Sequence, residues 1–172
     1  QHTLKDVGMI KMSNLCCEIF QYQTPSDIKG YGQVSDWGQD ISCNLGSLNI
    51  ANVMDNKDIE KTIDVAIRAL TYVSDNTNIE EVTTIKKGND SSHSIGLGAM
   101  NLHGYIVRVD IIYTSQEGRE FADVFFALMR YYAIQTSMNI AIDKGKTFNG
   151  FENSEYAKGP ESELFKQYCT KA

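Results

Sequence analysis

The clearest periodicity in the chain is helical. Ile59, Ile63, Ala66, Ile67, Leu70 and Val73 recur at i, i+4, i+7, i+8, i+11 and i+14. That spacing forms one apolar stripe and predicts a helix over 58–75. Asp55, Asn56 and Asp58 stand before it, and each can cap its first turn. A longer helix is predicted from the capping-box pattern Thr114-Ser115-Gln116-Glu117 to Lys144, with Gly145 as its C′ residue. From Phe121 through Phe125, Met129 and Tyr132 to Ile134, apolar side chains cover most of its circumference. A helix apolar on nearly all sides is usually buried inside a large protein. Residues 93–108 read as another helix in spite of Gly96, Gly98 and Gly104. Each glycine costs about 1 kcal/mol against Ala in an exposed helix, so their presence implies a second backbone packed very close. A short last helix is expected over 161–168.

Elsewhere the pattern is shorter-ranged. Residues 9–12 and 18–22 read as extended segments flanking Asn14-Leu15-Cys16-Cys17. Residues 24–39, with Pro25, Gly30, Gly32, Gly38 and the only tryptophan, Trp37, read as loop. Ile41, Cys43 and Leu45 alternate before Gly46 breaks the run, which predicts a short strand followed by an irregular stretch up to residue 53. Residues 76–92 are polar and read as loop, with Lys86-Lys87 as a solvated charge pair. The outcome is a helix-rich α/β chain forming a single segment over 1–172. Residues 9–53 supply a loop and strands, and 54–172 are mainly helical.

Composition supports a folded domain. Of 172 residues, 42% are hydrophobic and 22% charged, and the 13 glycines bring the apolar-plus-Gly share to roughly half. Two prolines exclude a proline-rich or collagen-like class. Sixteen basic against 22 acidic residues leave a net charge of −6, which argues against a nucleic-acid-binding surface. No apolar run reaches the 18 residues of a membrane span, and 1–8 lack a signal-peptide core, so a cytosolic protein is expected. There a disulfide framework is improbable for Cys16, Cys17, Cys43 and Cys169. The lack of a Cys-x-x-Cys pair gives a structural zinc site little support. A chain starting at Gln1 rather than Met is expected to be a piece of something longer.

The densest polar cluster is Asn14-Leu15-Cys16-Cys17-Glu18. In an extended segment or tight loop tip, Asn14, Cys16 and Glu18 occupy alternate positions and face one side. An amide can orient a substrate hydroxyl, a carboxylate can act as general base, and a thiol can act as nucleophile or hydrogen-atom donor. Against this, the pattern is short, and a free cysteine is often simply buried. Cys43 reads either as a redox partner for another thiol or as a small core residue on a strand. Other features are set aside. Gly96-Leu97-Gly98-Ala99-Met100-Asn101 lacks the third glycine of a dinucleotide-binding loop. His93 and His103 are ten residues apart, off any metal-ligand spacing with each other. The adjacent Tyr131 and Tyr132 read as core.

The strings SNLCCEI, DISCNLGSLNIANVMD, HSIGLGAMNLHGY and GKTFNGFENSEYA occur in that order. Together they resemble the large, catalytic subunit of ribonucleotide reductase, nearest to the class Ib enzymes acting on ribonucleoside diphosphates. The resemblance spans 13–157 and includes the 27-residue separation of Cys16 and Cys43. It implies that the chain contributes to a ten-stranded α/β barrel, with the finger loop in 9–53. It implies roles for individual residues as well. Cys16 would become a transient thiyl radical and take the 3′ hydrogen of the ribose. Glu18 would handle the 3′-hydroxyl proton, and Asn14 would hydrogen-bond the substrate hydroxyls. Cys43 would be one of two cysteines that reduce the 2′ carbon and become a disulfide. Ser13, Asn14, Leu45 and Gly46 would bind substrate. No metal or cofactor is implied in this chain, because the family's radical comes from a metal-containing small subunit.

The partners implied are a ribonucleoside diphosphate, that small subunit, a glutaredoxin-like or thioredoxin-like reductant, and the rest of the large subunit. In the family the partner of Cys43 lies upstream. The phosphate-holding loop, the radical-transfer tyrosines and the C-terminal cysteine pair lie downstream. Cys17 stands where serine is common, and Thr83 where proline is expected. The chain by itself is therefore expected to be inactive. Two rival readings are one piece of a split reductase subunit, and a non-catalytic helical binding or structural module that keeps the scaffold.

Overall fold

The computed structural model describes residues 4, 6–13, 17 and 19–161. Its elements are β1 (Asp27–Gly30), β2 (Gln33–Asp36), β3 (Asn44–Asn49), α1 (Ile50–Asn56), α2 (Ile59–Asn76), α3 (Thr83–Ser92), β4 (Ile95–Met100), α4 (Leu102–Arg108) and α5 (Gln116–Lys144). Two short 3-10 turns follow, Phe151–Asn153 and Glu155–Glu161. The described residues fall into two compact units. One holds the residues up to Asn44 together with Thr71–Ile95 and Thr147–Gly159, and the other holds Leu45–Leu70 and Gly96–Lys146.

The two strongest sequence signals hold. α2 begins where Asp58 caps it, its carboxylate accepting from Lys61 N at 3.0 Å. α5 runs to Lys144 and ends on Gly145 in the left-handed region, φ 62°. Its cap is Ser115, whose side chain accepts from Gly118 N, and not the capping-box residue Thr114. The physical reason is that Ser115 is already extended, φ −71° and ψ 168°, the geometry an N-cap needs.

Four expectations are corrected. First, residues 24–39 are not a plain loop. β1 and β2 form an antiparallel hairpin, closed below by a Thr24–Gln39 bridge and turning through Gly32 at φ 70°. Its residues are mostly exposed, so no core alternation marks it. Second, β3 passes through Gly46 and leads directly into α1, where Asn49 Oδ1 accepts from Ala51 N at 3.1 Å. Third, residues 83–92 are helical. Their Thr, Ser, Asn and Gly content is poor for an isolated helix, but tertiary contacts override it. Ser74 Oγ donates to Asn89 Oδ1 at 3.0 Å, and Asn89 Nδ2 donates back to Ser74 O at 2.9 Å, both residues buried. Lys86 and Lys87 therefore stand on a helix, where Lys86 meets Asp90 at 3.1 Å and Lys87 donates to Trp37 O at 2.6 Å. Fourth, residues 93–108 are β4 followed by α4, not one helix. The very close backbone approach expected at these glycines is not found at Gly98, where contact is ordinary. A Cβ on Gly98 would lie 3.4 Å from Ser47 Oγ and 3.7 Å from Gly46 O.

β3 and β4 form a two-stranded sheet. Gly98 lies at Ser47, and Asn101 Nδ2 donates to Asn49 Oδ1 at 3.1 Å. The contacts advance in the same direction along both strands, which is a parallel sense, and the intervening α1–α3 make the crossover that a parallel pair requires. The family fold inferred from the sequence, part of an α/β barrel, is consistent with this sheet. The same unit buries Ile50, Ala51 and Val53 of α1, Ile63 and Ile67 of α2, Ile106 of α4, and Phe125, Ala127 and Met129 of α5. Tyr105, Phe121 and Phe125 stack in series at 5.0 and 6.1 Å. Arg108 grips both oxygens of Asp55 at 2.7 and 2.9 Å, and this hydrogen bonding holds the Asp55 carboxyl below its ordinary range. On α5, Val124, Phe126, Met138 and Ile142 remain exposed, so the all-round apolar helix is only partly covered by the described residues.

Of the extended segments expected at 9–12 and 18–22, neither forms a regular strand among the described residues. Residues 162–168 of the last expected helix lie outside the described residues.

Two glycines give contrasting predictions. A Cβ on Gly88 would fall 1.8 Å from the Asp40 carbonyl oxygen, a backbone atom that cannot step aside. Gly88→Ala is expected to destabilise the fold by about 1–3 kcal/mol in denaturant unfolding. Gly98→Ala, whose nearest contact is an ordinary 3.4 Å, is expected to cost under about 1 kcal/mol.

Candidate active site

The described site begins with a base that has no β-ladder to satisfy it. Residues 9–12 and 19–23 are the limbs on either side of the cysteine cluster, and two glutamines supply the missing partners. Gln23, 6% exposed, accepts from Lys11 N at 2.8 Å and Met12 N at 3.0 Å through Oε1, and donates to Met12 O at 2.9 Å through Nε2. Its own backbone N donates to Met9 O at 3.2 Å. One side chain thus does what a strand would do for three main-chain groups. Ser13 closes the next rung, its Oγ donating to Ile19 O at 2.6 Å.

Gln21, 7% exposed, bonds a different segment. Its Nε2 donates to Ser42 O at 2.9 Å, and its Oε1 lies 3.4 Å from Ser92 Oγ. Ser92 Oγ has one proton and also reaches Gly88 O at 2.9 Å. The shorter bond takes the proton, so the Ser42 bond is the one that orients Gln21. A carbonyl only accepts, which fixes Nε2 as the atom facing Ser42.

Cys43 follows Ser42 directly. It is half-buried, sits outside any disulfide, and lies one residue before β3. On its far side Asn44 N donates to Ser94 O at 3.4 Å. Of the other residues named from the sequence, Leu45 is 58% exposed on β3, and the Cβ position of Gly46 faces the Leu70 side chain at 3.4 Å. Cys17 is exposed, with φ 59°, a left-handed conformation that L-residues adopt at a cost. Asn14, Cys16 and Glu18 lie outside the described residues. So the structure ties the outgoing limb, through Gln21, to the Ser42–Cys43 peptide.

Sequence reasoning missed both glutamines. The signal was available: Ile19, Gln21 and Gln23 alternate, and the two amides fall on the inward positions where a polar side chain must find partners. His93 is partly exposed as expected, with Nδ1 3.3 Å from Asp75 Oδ1, and His103 packs edge-on against Tyr113 at 5.3 Å. Tyr131 and Tyr132 pack on each other at 5.3 Å, and Tyr131 is 36% exposed, so it is not the core residue expected.

Behind the Gln21 limb is a cavity of about 180 Å³ lined by Gln21, Tyr22, Ser92, Ser94, Phe148 and Asn149, among others. Ligand pockets usually run to about 300–1,000 Å³, so a nucleotide does not fit in it. Among the described residues no three His, Cys, Asp or Glu side chains are grouped to hold a metal ion. No described helix is long and apolar enough to cross a membrane.

Comparison with known proteins gives the family. Residues 1–170 match the ribonucleotide reductase barrel domain. The chain is 46% identical over 169 residues to the ribonucleoside-diphosphate reductase subunit alpha of Bacillus subtilis, covering 98% of this chain and 24% of that protein. It is 44% identical over 151 residues to the subunit alpha of Mycoplasma pneumoniae, covering 87% of this chain and 21% of that protein. A Bacillus phage SPbeta subunit alpha is 41% identical over 155 residues, 90% of this chain and 14% of that protein. The chain belongs to the ribonucleotide reductase family, and it spans about a quarter or less of the length of these relatives.

The clamp gives a local prediction. Gln23→Leu removes the partners of Lys11 N, Met12 N and Met12 O. Hydrogen exchange at the Lys11 and Met12 amides is expected to accelerate by at least ~10-fold, since an opened bond of about 1.4 kcal/mol corresponds to that factor. Unchanged protection at both amides would count against the clamp.

Proposed function

We propose that this chain is the cysteine-bearing part of the catalytic barrel of a ribonucleoside-diphosphate reductase alpha subunit. The observation that carries the reading is the likeness to such subunits along 98% of the chain, the span that contains Asn14, Cys16, Glu18 and Cys43. Cys16, as a thiyl radical, takes the 3′ hydrogen of a ribonucleoside diphosphate. Glu18 accepts the 3′-hydroxyl proton, while Ser13 and Asn14, with Leu45 and Gly46, hold the substrate. The 2′-hydroxyl leaves as water. Cys43 and a second thiol of the subunit supply two electrons and two protons and become a disulfide, and Cys16 returns its hydrogen to C3′ and regains the thiyl radical, so that one C–O bond is replaced by C–H.

The chemistry follows from bond strengths and acidity. A ribose C–H is too weakly acidic for an ordinary base, so a hydrogen atom is removed in place of a proton. A radical at C3′ then loosens the neighbouring 2′ C–O bond. Such a radical needs shielding from bulk water, which a barrel interior supplies. The reading brings with it a metal-containing, radical-generating small subunit, a glutaredoxin-like or thioredoxin-like reductant, and a cytosolic setting.

The test is a graft. The 169-residue matching segment of the Bacillus subtilis subunit alpha is replaced by this chain, and deoxynucleotide formation is measured with that organism's small subunit. The graft is expected to be active, and Cys16→Ser or Cys43→Ser is expected to bring turnover to background. A Cys16→Ser graft that keeps its activity would favour a scaffold without the chemistry. The isolated 172 residues are expected to show no turnover in the same assay. Measurable product from the chain alone would overturn that expectation.

A further inference from the structure

We infer that Gln21 is a positioning residue for the reducing thiol of Cys43. The inference rests on the redox role proposed for Cys43. It stands on two observations. The Gln21 side chain is 7% exposed, in a place where an uncharged amide is kept only if it is bonded. Its Nε2 donates at 2.9 Å to the carbonyl of Ser42, the peptide that leads directly into Cys43. A short bond from a buried side chain thus holds the carbonyl of the Ser42–Cys43 peptide, and Gln21 makes it.

The orientation of a peptide sets the direction of the Cα–Cβ bond that follows. A rotation of the Ser42–Cys43 peptide therefore swings the thiol. Delivery of reducing equivalents to a carbon atom is sensitive to such displacements, because a shift near 1 Å at a reacting group can cost about 100-fold. Gln21 also lies five residues along the chain from Cys16. The same side chain that sets the Cys43 peptide thus belongs to the limb leaving the other cysteine.

The role differs from that of Gln23, which bonds only the opposite limb. It also differs from packing. Gln21→Met keeps the length and volume of the side chain and removes the donor. Gln21→Glu keeps the shape and sets a carboxylate against the Ser42 carbonyl.

Both variants are made in the grafted alpha subunit. Each is expected to lower kcat at least ~10-fold, with KM for the ribonucleoside diphosphate within about 2-fold. With substrate labelled at C3′ by tritium, tritium released to water per deoxynucleotide formed is expected to rise several-fold. Hydrogen abstraction continues while reduction lags, and a hydrogen held longer on sulfur has longer to exchange. A purely structural role would lower abstraction and reduction together and leave the ratio unchanged, which overturns the inference. So would wild-type kinetics in Gln21→Met, or loss of fold in both variants. The two readings separate cleanly. If Cys16→Ser or Cys43→Ser retains activity, the proposed function fails. If those abolish turnover while Gln21→Met matches wild type, only the Gln21 assignment fails.

Discussion

The constraint on which the rest of this site depends is the satisfaction of main-chain polar groups where no sheet is available. The limbs at residues 9–12 and 19–23 have no ladder among the described residues, and main-chain polar groups need partners wherever water is excluded. Here the partners are side chains. Gln23 bonds three main-chain groups of residues 11 and 12, and Ser13 bonds Ile19 O. The limbs are thereby spaced without a ladder. This arrangement puts information in the side chains that a strand pair would carry in the backbone, and it makes two glutamines as consequential for the fold as any apolar residue nearby.

The legibility of the fold follows from where stability is encoded. α2 and α5 were readable because their own residues carry period, cap and stop, and Gly145 ends α5 where a left-handed residue is wanted. α3 was not, because its helicity rests on Asn89 and Ser74 meeting across 15 residues, which no local window contains. β4 was misread because glycine was weighed as a helix defect. The alternation Ile95, Leu97, Ala99 against Gly96, Gly98 is a strand pattern. The hairpin β1–β2 was missed because it buries little. At the site, the thiols and their spacing were legible as chemistry. Gln21 and Gln23 were legible only as inward polar positions in an alternating run, because the partners they bond lie 11 to 21 residues away.

The unit that contains the parallel pair is built on a different economy. Ile50, Ile63, Ile106 and Phe125 are each at most 2% exposed and come from four helices. Around them the ion pairs are peripheral: Arg108 with Asp55, and Arg68 with Asp64 and Asp143. Exposed pairs of this kind contribute little each and weaken with salt. Apolar burial therefore carries this unit, whereas bonded amides and hydroxyls carry the surroundings of Cys43.

The way the Cys43 segment is held has a consequence for how its sequence can change over time. Asp40 N donates to Thr84 O at 3.0 Å, the Asp40 carbonyl fills the space left by Gly88, and Asn44 N reaches Ser94 O. Both ends of a five-residue stretch are thus pinned through main-chain atoms, which every amino acid but proline supplies. Residues between them are free to vary in identity as far as the anchors are concerned. Their number is not. One inserted residue adds up to about 3.3–3.6 Å of chain between fixed points, more than the length of the bond that orients the peptide. Divergence here is expected to proceed by substitution, with insertions and deletions accumulating outside the two pins.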